Sequence, residues 1–423
     1  MKKIVFSLVM VAVLLLTACG GKTSGTTGGQ TKLSFMMWGD PAELTVWNQI
    51  VKDFEAANPN ITVSVEVSDW DSYWTKLKTL LAAKTPPDMF AIDAPLYLDY
   101  QSKGVLLNLT PYLDKNPGML DGLYPQTLQA YQTPQGYFGL PRDFQTIVLF
   151  YNKDMFDKAG LAYPNADWTW DDLRAAAKKL TLTGTDGKTT QYGFSFDMWD
   201  MEPGYSEAIW SYGGDMLNAN HTQTLLGAPQ ARQAWQLLYD MTFVDKTIPD
   251  SNTSGQYGGD TFLAGVSAMT ALGHWVVPGY ADAKLNFDAA PMPKGPAGRF
   301  TSVNSAGFVI AKGSKHPAQA FTFLKFVLST AGQTRLAELG FACPVLKSIA
   351  ESPVFLNQKI AINQQVFLDA LQYAKIKPVF KGYDEWASAV GDGMAPVWRG
   401  EADLNKTLDE VVVAADAVLA KNK

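Results

Sequence analysis

Apolar positions along the chain change their spacing in a recurring order. Residues 32–37 form an apolar, strand-like run that stops at Trp38-Gly39-Asp40-Pro41. Trp47, Ile50, Val51 and Phe54 then fall at i, i+3, i+4 and i+7, which predicts an amphipathic helix ended by Asn58-Pro59. Residues 61–67 alternate branched apolar with polar residues, as a half-buried strand does. The order repeats with a helix over 73–83 and a short buried strand over 88–92, ending at Asp93. Further helices are predicted over 154–160 and over 170–180, the second with Thr169 as N-cap and Asp172 three residues on. Another is predicted over 318–329, opened by Pro317, and a last one over about 404–421, with Leu404, Leu408, Val411 or Val412, and Ala415 on one side. Strand, helix, strand is the opening of an α/β sheet. There is no internal repeat, and nothing in the middle reads as a linker between consecutive domains. The pattern leaves two architectures open: one large α/β domain, or two lobes joined by chain crossings that look like ordinary strands.

The start of the chain differs from the rest. Lys2 and Lys3 precede an apolar run over 4–16, closed by Leu16-Thr17-Ala18-Cys19. That run is short for a hydrocarbon core of about 30 Å, and the small residues before Cys19 are those of a cleaved export signal of the lipoprotein type. Residues 1–18 are therefore expected to be removed, and the Cys19 thiol to carry lipid on the outer face of the cell membrane. Residues 20–31 (GGKTSGTTGGQT) have almost nothing to bury and form a tether whose r.m.s. reach is about 20 Å.

Charge and chemistry narrow the function. Loss of Lys2 and Lys3 takes 35 basic residues to 33 against 41 acidic ones, a formal charge of −8. No Lys/Arg cluster remains, which argues against a nucleic-acid partner and leaves lipid as the membrane anchor. Lipidation consumes one of two cysteines, so Cys343 has no intramolecular partner. His221, His274 and His316 stand far apart without a second ligand at metal spacing and read as surface or loop residues. Gly184-Thr185-Asp186-Gly187-Lys188-Thr189 imitates the end of a phosphate loop, but Leu182 stands where its first glycine belongs. Asp250, Asn252 and Ser254 resemble the front of a calcium loop, yet the twelfth position is Thr261 and supplies no carboxylate. No nucleophile elbow or zinc-protease helix is present, and no cofactor is called for.

The chain is rich in rings, with 12 Trp, 17 Tyr and 22 Phe. Several stand at strand ends or loops beside a polar group: Trp38 with Asp40, Asp93 with Tyr97, Trp199 with Asp197 and Asp200, Trp210 with Tyr212, His274 with Trp275, and Tyr383 with Trp386. A pyranose has an apolar C–H face that stacks on such rings and hydroxyls that need charged or amide partners once desolvated. The bland explanation for any one pair is a core ring whose N–H reaches a carboxylate. It weakens when applied to all six.

At this point the residues carry a family. The opening strand "LSFMMWGD", then "PPDMFAID", "PRDFQTIVLFYNKDMFDKAG", "WTWDDLRAAAKKL", "YGFSF", "WSYGGDML", "GHW", "FDAAPMPKGPAG" and "NSAGFVIAKGSKHPAQAFTFLKFV" occur in one order. That ordered set resembles the extracellular solute-binding proteins of ATP-binding-cassette sugar importers, the group that includes the maltose-binding protein, over residues 33 to 420. The resemblance implies an α/β, two-lobed periplasmic-binding-protein fold with a multi-crossing hinge and a ligand cleft. Crossings are expected near 141–145, 303–307 and 342–346. The N-terminal lobe would then comprise 32–141 plus 307–342, and the C-terminal lobe 145–303 plus 347–423. The family's cleft positions map onto Trp38, Asp40, Asp93, Gln145 and Trp275, with Asn304 at the second crossing, and more loosely onto Trp199, Tyr212, Tyr383 and Trp386. Gln145 stands where maltose binders tend to carry a carboxylate. Arg142 either reaches ligand hydroxyls or pairs with Asp143. The expected activity is non-catalytic: a lipid-anchored monomer traps a di- or oligosaccharide and delivers it to the importer's membrane permease subunits. The competing readings are a binder of another polar solute, such as a glycerol phosphodiester, and a lipid-anchored glycosidase.

Overall fold

The computed structural model describes residues 30–198 and 201–422. The export signal, Cys19, most of the tether and Trp199 lie outside the described residues. The first lobe opens with β1 (Thr31–Trp38), α1 (Pro41–Ala57), β2 (Ile61–Ser68), α2 (Trp70–Ala82) and β3 (Met89–Asp93). Strand β1 pairs in parallel with both β2 and β3, which places the C-terminal ends of all three on one side. Alternation along β1 sorts its side chains. Leu33, Phe35 and Met37 face Trp47, Ile50 and Phe54 of α1, whereas Met36 joins Tyr73 and Leu77 of α2 on the other face. The four apolar residues spaced as a helix stripe are all buried on α1. Phe35 packs edge-on against Phe308 with ring centroids 4.8 Å apart.

Strands β4 (Gly139–Pro141) and β10 (Ala306–Ile310) complete this sheet in the order β2-β1-β3-β10-β4, with β10 antiparallel to both its neighbours. The second lobe is built around β6 (Val148–Asn152), buried throughout and flanked by β7 (Met269–Leu272) and β8 (Phe287–Ala290). A second small sheet joins β5 (Gln145–Thr146), β9 (Thr301–Asn304) and β11 (Ala374–Ile376) in the order β11-β9-β5. The chain thus leaves the first sheet after Pro141 and enters the second lobe's sheets at Gln145, then returns between Asn304 and Ala306. These passages are tied together: Arg142 donates its backbone N–H to Ala306, and Phe144 donates to Cys343.

The third passage falls later than the sequence suggested. After α7 (Pro317–Val327) and α8 (Thr330–Glu338), residues 347–356 still belong to the first lobe: Lys347 donates to Gly122, and Gln358 bonds the carbonyl of Ala337 at the end of α8. Asn363 then donates its backbone N–H to Asp288 on β8 of the other lobe at 2.7 Å. The expected boundary at 342–346 marks a strand-like bridge to Phe144 and Leu123, not the passage itself. The chain closes with α9 (Tyr383–Trp398) and α10 (Leu404–Lys421), packed on each other and burying Leu404, Leu408, Val411 and Ala415 as the spacing requires. Helix α4 (Trp170–Leu180) carries the expected Thr169–Asp172 capping box. Among the described residues, no helix is long and apolar enough to cross a membrane.

Candidate functional site

A cleft of about 1040 Å³ opens between the lobes. Its floor is the hinge, at Arg142, Asp143, Gln145, Asn304 and Ala306, and its walls are the C-terminal ends of β1 and β3, helix α2, Trp275, Glu202, Lys377 and one face of α9. The carboxyl ends of parallel strands are where open α/β sheets place ligands, since the chain there turns outward and leaves a crevice.

Trp38 ends β1 and its indole is partly exposed on the wall. Gly39 follows at φ +153°, and a Cβ there would sit 2.0 Å from Glu43 Oε2, so this turn requires glycine. Asp40 caps α1: its Oδ1 accepts from the Glu43 N–H at 2.8 Å while Glu43 Oε2 accepts from the Asp40 N–H at 3.1 Å. Burial pushes the Glu43 carboxyl up to about 7; Arg142 pulls it down, and Asp40 and Asp143 push it further up. Beside Trp38 stand Trp70 and Trp74, ring centroids 5.0 and 5.6 Å away. They lie one turn apart on α2, so the helix lays both rings along the same face. Trp70 is 37% exposed and is the most open of the three.

Arg142 and Asp143 are buried at the hinge, with Nε 2.9 Å from Asp143 Oδ2. Four rings surround the guanidinium, those of Trp38, Trp47, Phe308 and Phe341 at 5.3–5.6 Å. Of the two roles open to Arg142, the structure shows the pairing with Asp143. Burial still holds the Asp143 carboxyl above its ordinary range, with Arg142 opposing the shift.

Asp93 ends β3 and accepts from Asn304 Nδ2 at 2.7 Å. Gln145 Oε1 accepts from the His274 N–H at 3.1 Å, fixing the turn that carries Trp275. His274 corrects the sequence reading of a surface or loop imidazole. It is fully buried against Phe355 and Phe367, its Nε2 is 2.8 Å from Gln364 Oε1, and burial lowers it to about 4, so it is neutral at pH 7. Trp275 leans over Gly273, where a Cβ would lie 1.9 Å from the indole.

The structure therefore brings Trp38, Asp40, Asp93, Arg142, Gln145, Trp275, Asn304 and Tyr383 to one cleft. It does not bring Tyr212 or Trp386. Tyr212 caps a short helix, Ser206–Ser211, near Asp171 and Arg174. Trp386 has no exposed surface and donates Nε1–H to Thr224 Oγ1 at 3.0 Å: three residues past Tyr383 on α9, it points into the core. Sequence reasoning missed Trp70, Trp74, Glu43, Glu202 and Lys377. The Trp70/Trp74 spacing of i, i+4 was a legible signal; a lone Lys377 and Glu202 offered none. The calcium-like run is a helix cap, with Asp250 Oδ1 accepting from the Thr253 N–H at 2.7 Å. Among the described residues no three His, Cys, Asp or Glu gather as a metal site.

Comparison with known proteins places this geometry. The family described as bacterial extracellular solute-binding protein matches residues 38–334. A galactooligosaccharide-binding protein of Bacillus subtilis is 22% identical, over 97% of this chain and 96% of its own length. Among solved structures, an ABC substrate-binding protein of Listeria monocytogenes in complex with cycloalternan superposes with a TM-score of 0.85 at 27% identity, covering 92% of this chain and 99% of that one. A solute-binding protein of Thermotoga lettingae bound with α-D-tagatose gives 0.82 at 22% identity, covering 92% and 100%.

Proposed function

This chain belongs to the bacterial extracellular solute-binding proteins, and from that premise we propose that it captures a di- or oligosaccharide between its lobes and delivers it to the permease subunits of an ABC importer. One observation carries the reading: indole faces and carboxylates from both lobes line a single cleft, with Trp38, Trp70 and Asp93 on one side and Trp275 and Glu202 on the other. A sugar ring offers an apolar face to the indoles and hydroxyls to the carboxylates, and contacts made to both lobes at once exist only when the lobes meet. Such a ligand shifts the population toward the closed form by its differential affinity for it. A micromolar Kd corresponds to about −8 kcal/mol, within reach of two or three stacked rings and a handful of charge-assisted hydrogen bonds. The cycloalternan complex of the Listeria relative supports a sugar of more than one residue.

In this reading the lobes comprise 32–141 with 307–356, and 145–303 with 363–423, and the protein works as a monomer without catalysis. Cys19, acylated after signal removal, anchors it to the outer face of the cell membrane. The glycerol phosphodiester alternative loses ground because Arg142, the one guanidinium among the described residues lining the cleft, is already held by Asp143. The test is Trp emission and thermal melting against mono- and oligosaccharides, polyols and glycerol phosphodiesters. A ligand that binds only the folded state at one hundred times its Kd stabilises it by about 2.7 kcal/mol. A shift with one sugar class and no turnover supports the trap. A shift with phosphodiesters alone, or released product, overturns it.

A further inference from the structure

We infer that Lys377 is a positioning residue of the cleft: it holds Asp93 from one lobe and Glu202 from the other as ionised, inward-facing acceptors, and so links the lobes through a protein cation before ligand arrives. Its Nζ lies 4.0 Å from Asp93 Oδ2 and 3.7 Å from Glu202 Oε2, and 5.8 Å from the centroid of the Tyr383 ring. All four side chains line the cleft and all are buried. The lysine is not free to drift, because its backbone N–H donates to the carbonyl of Val303 on the hinge strand β9. Asp93 is fixed from the other direction by Asn304, the last residue of that same strand.

Two carboxylates brought together from opposite lobes repel, and burial raises the cost of keeping either ionised. A single ammonium between them offsets both effects. Lysine suits the place because a compact ammonium on a long stem serves two acceptors without the fixed planar geometry of a guanidinium. Further out, the start of α9 reaches the same first lobe twice: Gly382 donates to Asp99 at 2.7 Å, and Asp384 meets Lys78 at 2.9 Å. The Lys78–Asp384 pair is exposed and so is screened by salt, while the buried Lys377 contacts are screened much less.

This inference rests on the sugar reading for its affinity arm and is independent of it for the other. The experiment compares Lys377→Met, Lys377→Arg and Lys377→Met/Glu202→Gln in the full mature chain. Spin labels on one exposed residue of each lobe report the distance between lobes without ligand. Lys377→Met is expected to broaden that distribution toward longer separations. Lys377→Arg, which keeps a cation between the carboxylates, should recover most of the native distribution, which a merely structural loss would not, and the double variant, relieved of the repulsion but without the link, should fall between Lys377→Met and native. Cellobiose, maltotriose and the other sugars of the panel then report affinity, with at least a tenfold loss in Lys377→Met and recovery in Lys377→Arg. An unchanged interlobe distance in Lys377→Met, or Lys377→Arg no better than Lys377→Met, overturns the inference. If no sugar binds the unaltered protein, the sugar reading fails and the distance measurement still decides the role of Lys377. Should Lys377→Met fail to fold, the double variant decides: it lacks both the cation and the repulsion, so a distribution longer than native supports the link and a native one removes it.

Discussion

Replacing Arg142 by Met tests the hinge ion pair most directly. Met keeps apolar contact with the four rings around the guanidinium but leaves Asp143, with no exposed surface, without its cation. Breaking a buried pair from one side costs about 3–5 kcal/mol, mostly the penalty of an uncompensated charge. Cation–π attraction adds about 0.5–2 kcal/mol, and the four rings do not sum because one cation serves all of them. The expected loss is therefore about 3.5–7 kcal/mol, set by Asp143 more than by the rings. Two controls separate the terms. In Arg142→Met/Asp143→Asn the orphaned charge is gone, and the loss should fall to about 0.5–2 kcal/mol, the cation–π part. The second control is pH. Asp143 already sits above its ordinary range when folded, and removing Arg142 pushes it higher. The folded state then holds a proton that the unfolded state releases, so stability falls as pH rises between the two values. The deficit of Arg142→Met should be smaller at pH 5 than at pH 8. Urea unfolding followed by circular dichroism, read as midpoint shifts at constant slope, supplies the assay. A double variant no more stable than Arg142→Met, or equal deficits at both pH values, refutes the argument.

Trp275→Ala should weaken sugar binding at least tenfold in a titration of Trp emission with little loss of stability, because the ring is partly exposed; unchanged affinity removes its stacking role. Trp386→Phe should do the reverse, costing about 1 kcal/mol for the lost bond to Thr224 while affinity stays within twofold. Glu43, held near 7 when folded against an ordinary 4.5, makes the native state less stable as pH rises through 4.5–7. Glu43→Gln, which can still complete the capping box, should accordingly melt higher than the parent at pH 8, with the difference shrinking as pH falls and vanishing well below 4.5. Lys78→Ala removes an exposed pair and should cost no more than about 1 kcal/mol, less at high salt.

Local signals were legible wherever one element decides its own fate. The stripe of α1 and the capping box of α4 follow from a dozen residues each, and the structure has both. Helix α9 was not legible, because Gly391, Gly393 and Pro396 interrupt the helical pattern; Gly393 is required there by α10, since a Cβ would lie 2.5 Å from Val411 Cγ2. The same non-local logic explains the third passage, where a backbone bridge to Phe144 looks locally like a crossing strand. In the site, residues at strand ends were readable from position, as with Trp38 and Asp93. Trp386 misled because adjacency in sequence to Tyr383 says nothing of which helix face each takes, and Lys377 stayed hidden because its meaning depends on two carboxylates more than 170 residues away in sequence.

The insertion of β10 between β3 and β4 dictates a calendar for folding. A chain that emerges N-terminus first produces β1 to β4 early, yet β3 and β4 have no partner between them until residue 310 exists. By then the strands β6, β7 and β8 of the other lobe are all made, so of the two sheets the one begun first is completed second. Any truncation before residue 306 would leave two unpaired strand edges beside an apolar face, the condition that invites pairing with another chain. The hinge is thus more than a joint between finished halves: the chain must double back through it before the first half has a complete sheet.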